Sequence, residues 1–171
     1  MKRNKLMVLT ALSLALPLMG CTATQQTELS SASVKPMMSA KASSYDREGF
    51  TVIEDEGRLW IFRDGSEDLA KFKEHGEPAK MVVLPGAGPD RKTLKGTDRD
   101  TMMEYALSKP GFKVIMEDGR LWIFEAGSEA LAQFEEHGEP AKQVVRPGAG
   151  PRGITLKSVE SSIIDAYLAA K

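Results

Sequence analysis

Cysteine is almost missing from this chain: Cys21 is the only one in 171 residues. A lone thiol leaves no disulfide to staple the fold, even in an oxidising compartment. Histidine is nearly as scarce, with His75 and His137 alone. No Ser-His-Asp order and no cysteine nucleophile can be assembled from such a set. Runs of like charge are also missing. The 23 basic and 24 acidic residues are interspersed, which excludes the basic stripe of a nucleic-acid binder. The longest apolar run, Leu6 to Leu18, is broken by Thr10, Ser13 and Pro17 and is too short for a comfortable membrane span. No catalytic or cofactor motif is present, and neither a cofactor nor a resident metal is expected.

What the chain does have is a copy of itself. Residues 49–109 and 111–171 align without gaps at a spacing of about 62, and roughly 35 of 61 positions are identical. Gly57-Arg58-Leu59-Trp60-Ile61-Phe62 answers Gly119-Arg120-Leu121-Trp122-Ile123-Phe124. His75-Gly76-Glu77-Pro78-Ala79-Lys80 recurs as His137-Gly138-Glu139-Pro140-Ala141-Lys142, and Pro85-Gly86-Ala87-Gly88-Pro89 as Pro147-Gly148-Ala149-Gly150-Pro151. A duplication of this length governs the architecture.

The N-terminus reads as an export signal over residues 1–20, with Lys2, Arg3 and Lys5 ahead of the apolar run. The stretch Leu18-Met19-Gly20-Cys21 resembles the bacterial lipobox. That resemblance implies lipidation of Cys21, which becomes the first mature residue. Thr22, not Asp, follows the cysteine, which by the same resemblance favours the outer membrane, with the protein facing the periplasm. Loss of the signal removes three basic residues, leaving about 20 basic against 24 acidic, a net charge of about −4. Residues 21–47 are rich in Ser, Thr, Ala, Gln and Lys without periodicity, which reads as a tether with a mean reach of about 25–30 Å.

Each copy, 48–109 and 110–171, reads as the same series of elements. Two short β-branched and aromatic runs flank an acidic turn ending in Gly57 or Gly119, a β-hairpin signal. In the second strand Leu59 and Ile61 point to one face and Trp60 and Phe62 to the other, so the strand should be covered on both sides. Ser66 and Ser128 suit helix N-caps, and Gly76 and Gly138 end those helices. A third and a fourth short strand follow around the Pro-Gly-Ala-Gly-Pro loop. A last helix, capped by Thr97 or Ser158, closes the unit. The pattern is α+β, a tandem β-β-α-β-β-α unit. Because a 60-residue unit buries only about 60% of its unfolded surface, and Pro110 alone separates the copies, the two are expected to share a core as a pseudo-twofold pair.

Three features are candidates for chemistry. His75 and His137, brought together across the pair, could hold a metal or share a proton; as residues of a last helical turn they equally serve the helix carbonyl end. Pro-Gly-Ala-Gly-Pro follows a strand as a phosphate loop does, but lacks the Gly-Lys-Ser/Thr ending and gives up two donors to proline. Arg58 beside Trp60, and Arg120 beside Trp122, could form a cation–π platform for a glycan or aromatic ligand, against a core role for the tryptophans.

The strings Asp118-Gly119-Arg120-Leu121-Trp122, His-Gly-Glu-Pro-Ala-Lys and Gly-Ala-Gly-Pro resemble those of uncharacterised exported bacterial proteins. The resemblance covers most of both copies and implies no activity. The sequence thus points to an outer-membrane lipoprotein, held to the membrane by its lipid. Its duplicated module would serve an envelope protein, a glycan strand or a small ligand, with Arg58, Trp60, His75, Arg120, Trp122 and His137 as candidate binding residues. The alternative is an envelope enzyme or metal-handling protein built on the two histidines.

Overall fold

The structure, a computed structural model, describes residues 44–171. The export signal, Cys21 and most of the tether stretch lie outside the described residues.

The first copy comprises β1 (Phe50–Asp55), β2 (Arg58–Arg63), α1 (Glu67–His75), β3 (Val82–Leu84), β4 (Leu94–Gly96) and α2 (Arg99–Leu107). The second comprises β5 (Phe112–Glu117), β6 (Arg120–Glu125), α3 (Glu129–His137), β7 (Val144–Arg146), β8 (Thr155–Ser158) and α4 (Ser161–Ala169). A 3-10 turn, Pro89–Arg91 or Pro151–Gly153, precedes the last strand of each copy. Among the described residues the architecture is mixed α+β, with two similar four-stranded sheets and four helices.

The hairpin turns follow from their residues. Glu56 and Gly57 have φ of 49° and 75°, and Asp118 and Gly119 have 49° and 72°. Two successive positive values match the right-handed twist of the flanking strands. The sheets run β1-β2-β4-β3 and β5-β6-β8-β7, with the central pairs β2–β4 and β6–β8 parallel. A parallel pair needs a crossover, and α1 or α3 lies within it.

The strand alternation then sorts the core. Trp60 and Phe62 pack with Leu69 and Phe72 of α1, and Trp122 and Phe124 with Leu131 and Phe134 of α3. Leu59, Ile61, Leu121 and Ile123 turn to the opposite face, into one cluster that also takes Met102, Met103, Tyr105, Ile164 and Tyr167. This cluster draws on both copies, and the described residues fall within one compact unit.

The Ser66 and Ser128 hydroxyls accept the Leu69 and Leu131 N–H groups at 3.3 and 3.2 Å, as N-caps should. The caps of the later helices differ from expectation. Asp98, not Thr97, caps α2, taking the Asp100 and Thr101 N–H groups. Glu160 occupies that place in α4 without a side-chain bond. Thr97 and Ser158 point elsewhere, donating to Asp68 and to the Ile123 carbonyl.

The junction corrects the expected pseudo-twofold pair. It brings α2 of the first copy against β5 of the second, whereas α4 packs on β6 and β8 of its own sheet. Such a contact is head-to-tail: unlike surfaces meet, and α2 and α4 acquire different surroundings. In α2 Thr101, Met102, Met103, Glu104, Tyr105 and Leu107 are buried; in α4 only Ile164 and Tyr167 are. Glu104 lies at the centre, fully buried. Its Oε1 accepts the Met116 N–H of the β5 edge at 2.8 Å, and its Oε2 faces Arg63 Nη2 at 2.6 Å.

Burial pushes the Glu104 carboxyl above the usual carboxylate range, against the opposing pull of the Met116 N–H and Arg63. The folded chain therefore holds this proton more tightly than the unfolded chain. Stability from the group is full below the ordinary glutamate value and is lost as pH rises through the raised one. Glu104→Ala should cost about 1–3 kcal/mol at neutral pH, since it leaves the Met116 N–H inside the junction without its acceptor. Glu104→Gln keeps an acceptor and should cost less. Wild type should gain on the Gln variant as pH falls through that window. Urea melts at several pH values check both expectations, and equal costs for Ala and Gln would remove Glu104 as the junction acceptor.

A second repeated device closes each copy. Arg47 Nη1 donates to the Tyr105 and Ser108 carbonyls at the end of α2, and its guanidinium sits 4.7 Å from the Tyr105 ring centroid. Lys109 does the same to α4, donating to the Tyr167 and Ala170 carbonyls over the Tyr167 ring. A cation at a helix C-terminus answers the unpaired carbonyls there. The tyrosine hydroxyls donate back to the Tyr45 and Leu107 carbonyls. Burial pushes both phenols up to about 12, so both remain donors at neutral pH. Tyr45 and Arg47, at the end of the stretch read as tether, thus belong to the packed domain.

Candidate functional site

The cation over each tryptophan is a lysine, not the arginine suggested by the sequence. In the parallel register Trp60 stands opposite Lys95 and Trp122 opposite Lys157. Each ammonium lies 4.3 Å from its indole centroid. Lys95 also donates to Glu77 at 2.7 Å, and Lys157 donates to Glu139. The lysines are buried, at 6% and 4% exposure. A buried ammonium needs both a counter-ion and a polarisable neighbour, and here it has them. Arg58 and Arg120 are exposed at the start of their strands. Arg120 and Lys157 both help hold the Glu139 carboxyl below its usual range, after the leading effect of the Lys157 hydrogen bond.

Trp60 and Trp122 themselves are core residues, stacked on Phe62 and Phe124 and touched by Phe72 and Phe134. Trp60 is 1% exposed and Trp122 0%, so neither offers an open platform. Glu77 and Glu139, from the repeated His-Gly-Glu-Pro-Ala-Lys string, are the carboxylates that close over the lysines. The signal for this was the repeated Thr-Leu-Lys of the fourth strand, which carries meaning only once β2 and β4 are known to pair.

His75 and His137 stand in the last turns of α1 and α3, with side chains about 70% exposed. Each Nε2 is 3.6 Å from the carboxylate of the preceding Glu74 or Glu136. Among the described residues no group of three or more His, Cys, Asp or Glu side chains is arranged to hold a metal ion. The helix ends are closed by backbone: the Gly76 and Gly138 N–H groups donate to the Phe72 and Phe134 carbonyls.

The Pro-Gly-Ala-Gly-Pro loop uses its central donors within the fold. The Ala87 and Gly88 N–H groups go to the Leu84 and Lys92 carbonyls, and Ala149 and Gly150 repeat this with Arg146 and Ile154. Gly88 and Gly150 are required by close packing, since a Cβ on either would lie 2.5 Å from Leu94 or Leu156. The loop is a strand connection whose Ala87, Gly88, Ala149 and Gly150 amides are already paired, so it presents no row of amides to an anion.

Two of the cavities among the described residues bear on binding. One of about 210 Å³ lies in the first copy, lined by Arg63, Ser66, Asp68, Thr97, Asp98 and Thr101. Burial works to raise the Asp98 carboxyl, but the Thr101 hydroxyl and N–H, the Asp100 N–H and Arg63 outweigh it and hold the group low. The second copy places Glu125, Ala130, Val159 and Ile163 at the matching positions, and Ala130 and Val159 there pack onto the Trp122 cluster. A second cavity of about 220 Å³ lies between the copies, where Phe50, Phe112, Val114 and Leu131 meet Lys113 and Glu135. No protein-family model, curated protein or solved structure matches the chain.

Proposed function

We propose that the protein is an outer-membrane lipoprotein whose duplicated domain faces the periplasm and serves as a binding or structural module for an envelope partner. The anchor rests on Cys21 within its lipobox-like string. The binding role rests on one observation above all: Glu74–Lys80 and Glu136–Lys142 are identical over seven residues and, apart from the half-buried prolines, exposed. The last helices of the two copies, by contrast, share only Tyr105 and Tyr167. Packing accounts for Glu77 and Glu139, which hold the lysines, but places no demand on His75, Lys80 or their counterparts.

The head-to-tail junction supports the same reading. It sets out one surface twice in the same sense along the chain, an arrangement suited to a partner with repeating groups, such as a glycan strand or an extended envelope protein. Two linked weak sites of this kind gain avidity without new contacts.

The test is crosslinking and pull-down from native membranes with a variant carrying His75→Gln, Lys80→Ala, His137→Gln and Lys142→Ala. Its melting should stay within about 0.5 kcal/mol of wild type, since none of these side chains is packed. Partner capture should be lost. Undiminished capture by the folded variant would refute this surface as the binding site.

A further inference from the structure

We infer that two surface ion pairs, Lys92–Glu54 and Arg146–Asp165, are end stops that keep the two outer faces of the domain from stacking head to tail on a second copy of this chain. The junction itself supplies the template. On its first side stand Leu84, Met103, Glu104 and Leu107, all buried. On its second side Val114 is buried, and Met116 and Ile154 pack against the same cluster. A surface built this way joins unlike faces, and among the described residues nothing in its backbone geometry ends the series at two: the α4 face is equivalent to the first side, and the β1 face to the second. Heterologous contacts that do not close propagate into filaments unless the ends are altered.

The ends are altered at the matching positions. Where the junction has Leu84 and Met103, the α4 face has Arg146 and Asp165, paired through both guanidinium nitrogens at 2.5 and 3.0 Å, with Ser161 as a further acceptor. Leu107 becomes Ala169, and Glu104 becomes Ala166. Where the junction has Met116 and Ile154, the β1 face has Glu54 and Lys92, joined at 2.8 Å, with the ammonium 5.4 Å from the Tyr45 ring.

Stacking would desolvate both ion pairs. It would also bury the Glu54 N–H without the carboxylate that Glu104 gives to Met116, an expensive omission. Repeat arrays in general need end units with polar outer faces. Here the two copies divide that task, each polar on its outward side only. The substitutions that break the internal repeat therefore fall where a duplicated fold of two units needs them.

The test transplants the junction onto the ends, using the full chain at sedimentation equilibrium in a density-matched detergent buffer. One variant carries Glu54→Met and Lys92→Ile; the other carries Arg146→Leu, Asp165→Met and Ala166→Glu. Each alone should run at the mass of one chain, because each offers only one restored face. An equimolar mixture should reach twice that mass and stop. All five changes in one chain should give a mass that rises steadily with concentration. Folded variants whose mixture stays at one-chain mass would overturn the inference. Wild type provides a reading that depends on no variant: it should stay at one-chain mass at every concentration, and concentration-dependent growth there would overturn the inference equally.

Discussion

Residues 111–171 expressed alone will not fold, and the intact domain will unfold in a single transition. The main apolar cluster takes residues from both copies. Removing the first copy uncovers Val114, Met116 and Ile154 together and takes away the carboxylate that accepts the Met116 N–H. The loss falls on a unit of about 60 residues, which is marginal even with its surface intact. Total stability of a small domain is about 5–15 kcal/mol, so losing one wall of the core removes the whole margin. Calorimetry of the intact protein should give equal calorimetric and van't Hoff enthalpies. Two separated transitions, or a well-dispersed NMR spectrum from the isolated half, would show the copies to be independent.

Cys21→Ser should abolish fatty-acid incorporation and release the protein from the membrane, or leave it as an uncleaved precursor. Cys21 lies outside the described residues, so the expectation rests on sequence chemistry. Acyl chains anchor at about 0.8 kcal/mol per buried CH₂, and several chains together bind far more firmly than one. The apolar run Leu6–Leu18 is short for a span, and no helix among the described residues is long and apolar enough to cross a membrane. Metabolic labelling with a fatty acid decides the point. Equal labelling of wild type and variant would refute the lipobox reading.

Local features of the fold were legible in the sequence because their causes are local. Gly57 and Gly119 mark hairpin turns through their positive φ, and Ser66 and Ser128 cap helices three residues before the N–H they accept. The two-sided burial of Leu59–Phe62 could be read from strand alternation alone, and both sides are covered. What stayed hidden depends on pairing across distance. The cation on Trp60 comes from Lys95, far along the chain, because β2 and β4 run parallel in register; adjacency in sequence pointed to Arg58 instead. The junction was misread for a related reason. Duplication reveals that two units are alike, and only the contact of α2 with β5 reveals that they meet by unlike faces. The caps of the last helices were misplaced because Thr97 and Ser158 are drawn away by Asp68 and the Ile123 carbonyl, partners brought close by the fold.

Arg47 and Tyr45 give the domain a mechanical character. Both lie just ahead of β1, yet they are fastened to the far end of α2 through the Tyr105 and Ser108 carbonyls and the Tyr105 hydroxyl. Tension drawn through the chain at Ser44 therefore enters at α2, the most deeply buried helix, and loads several bonds at once. Without that fastening it would start at the free edge of the first sheet, where hydrogen bonds open in succession like a zip. A domain held at Ser44 and loaded from elsewhere on its surface would thus yield late and all together.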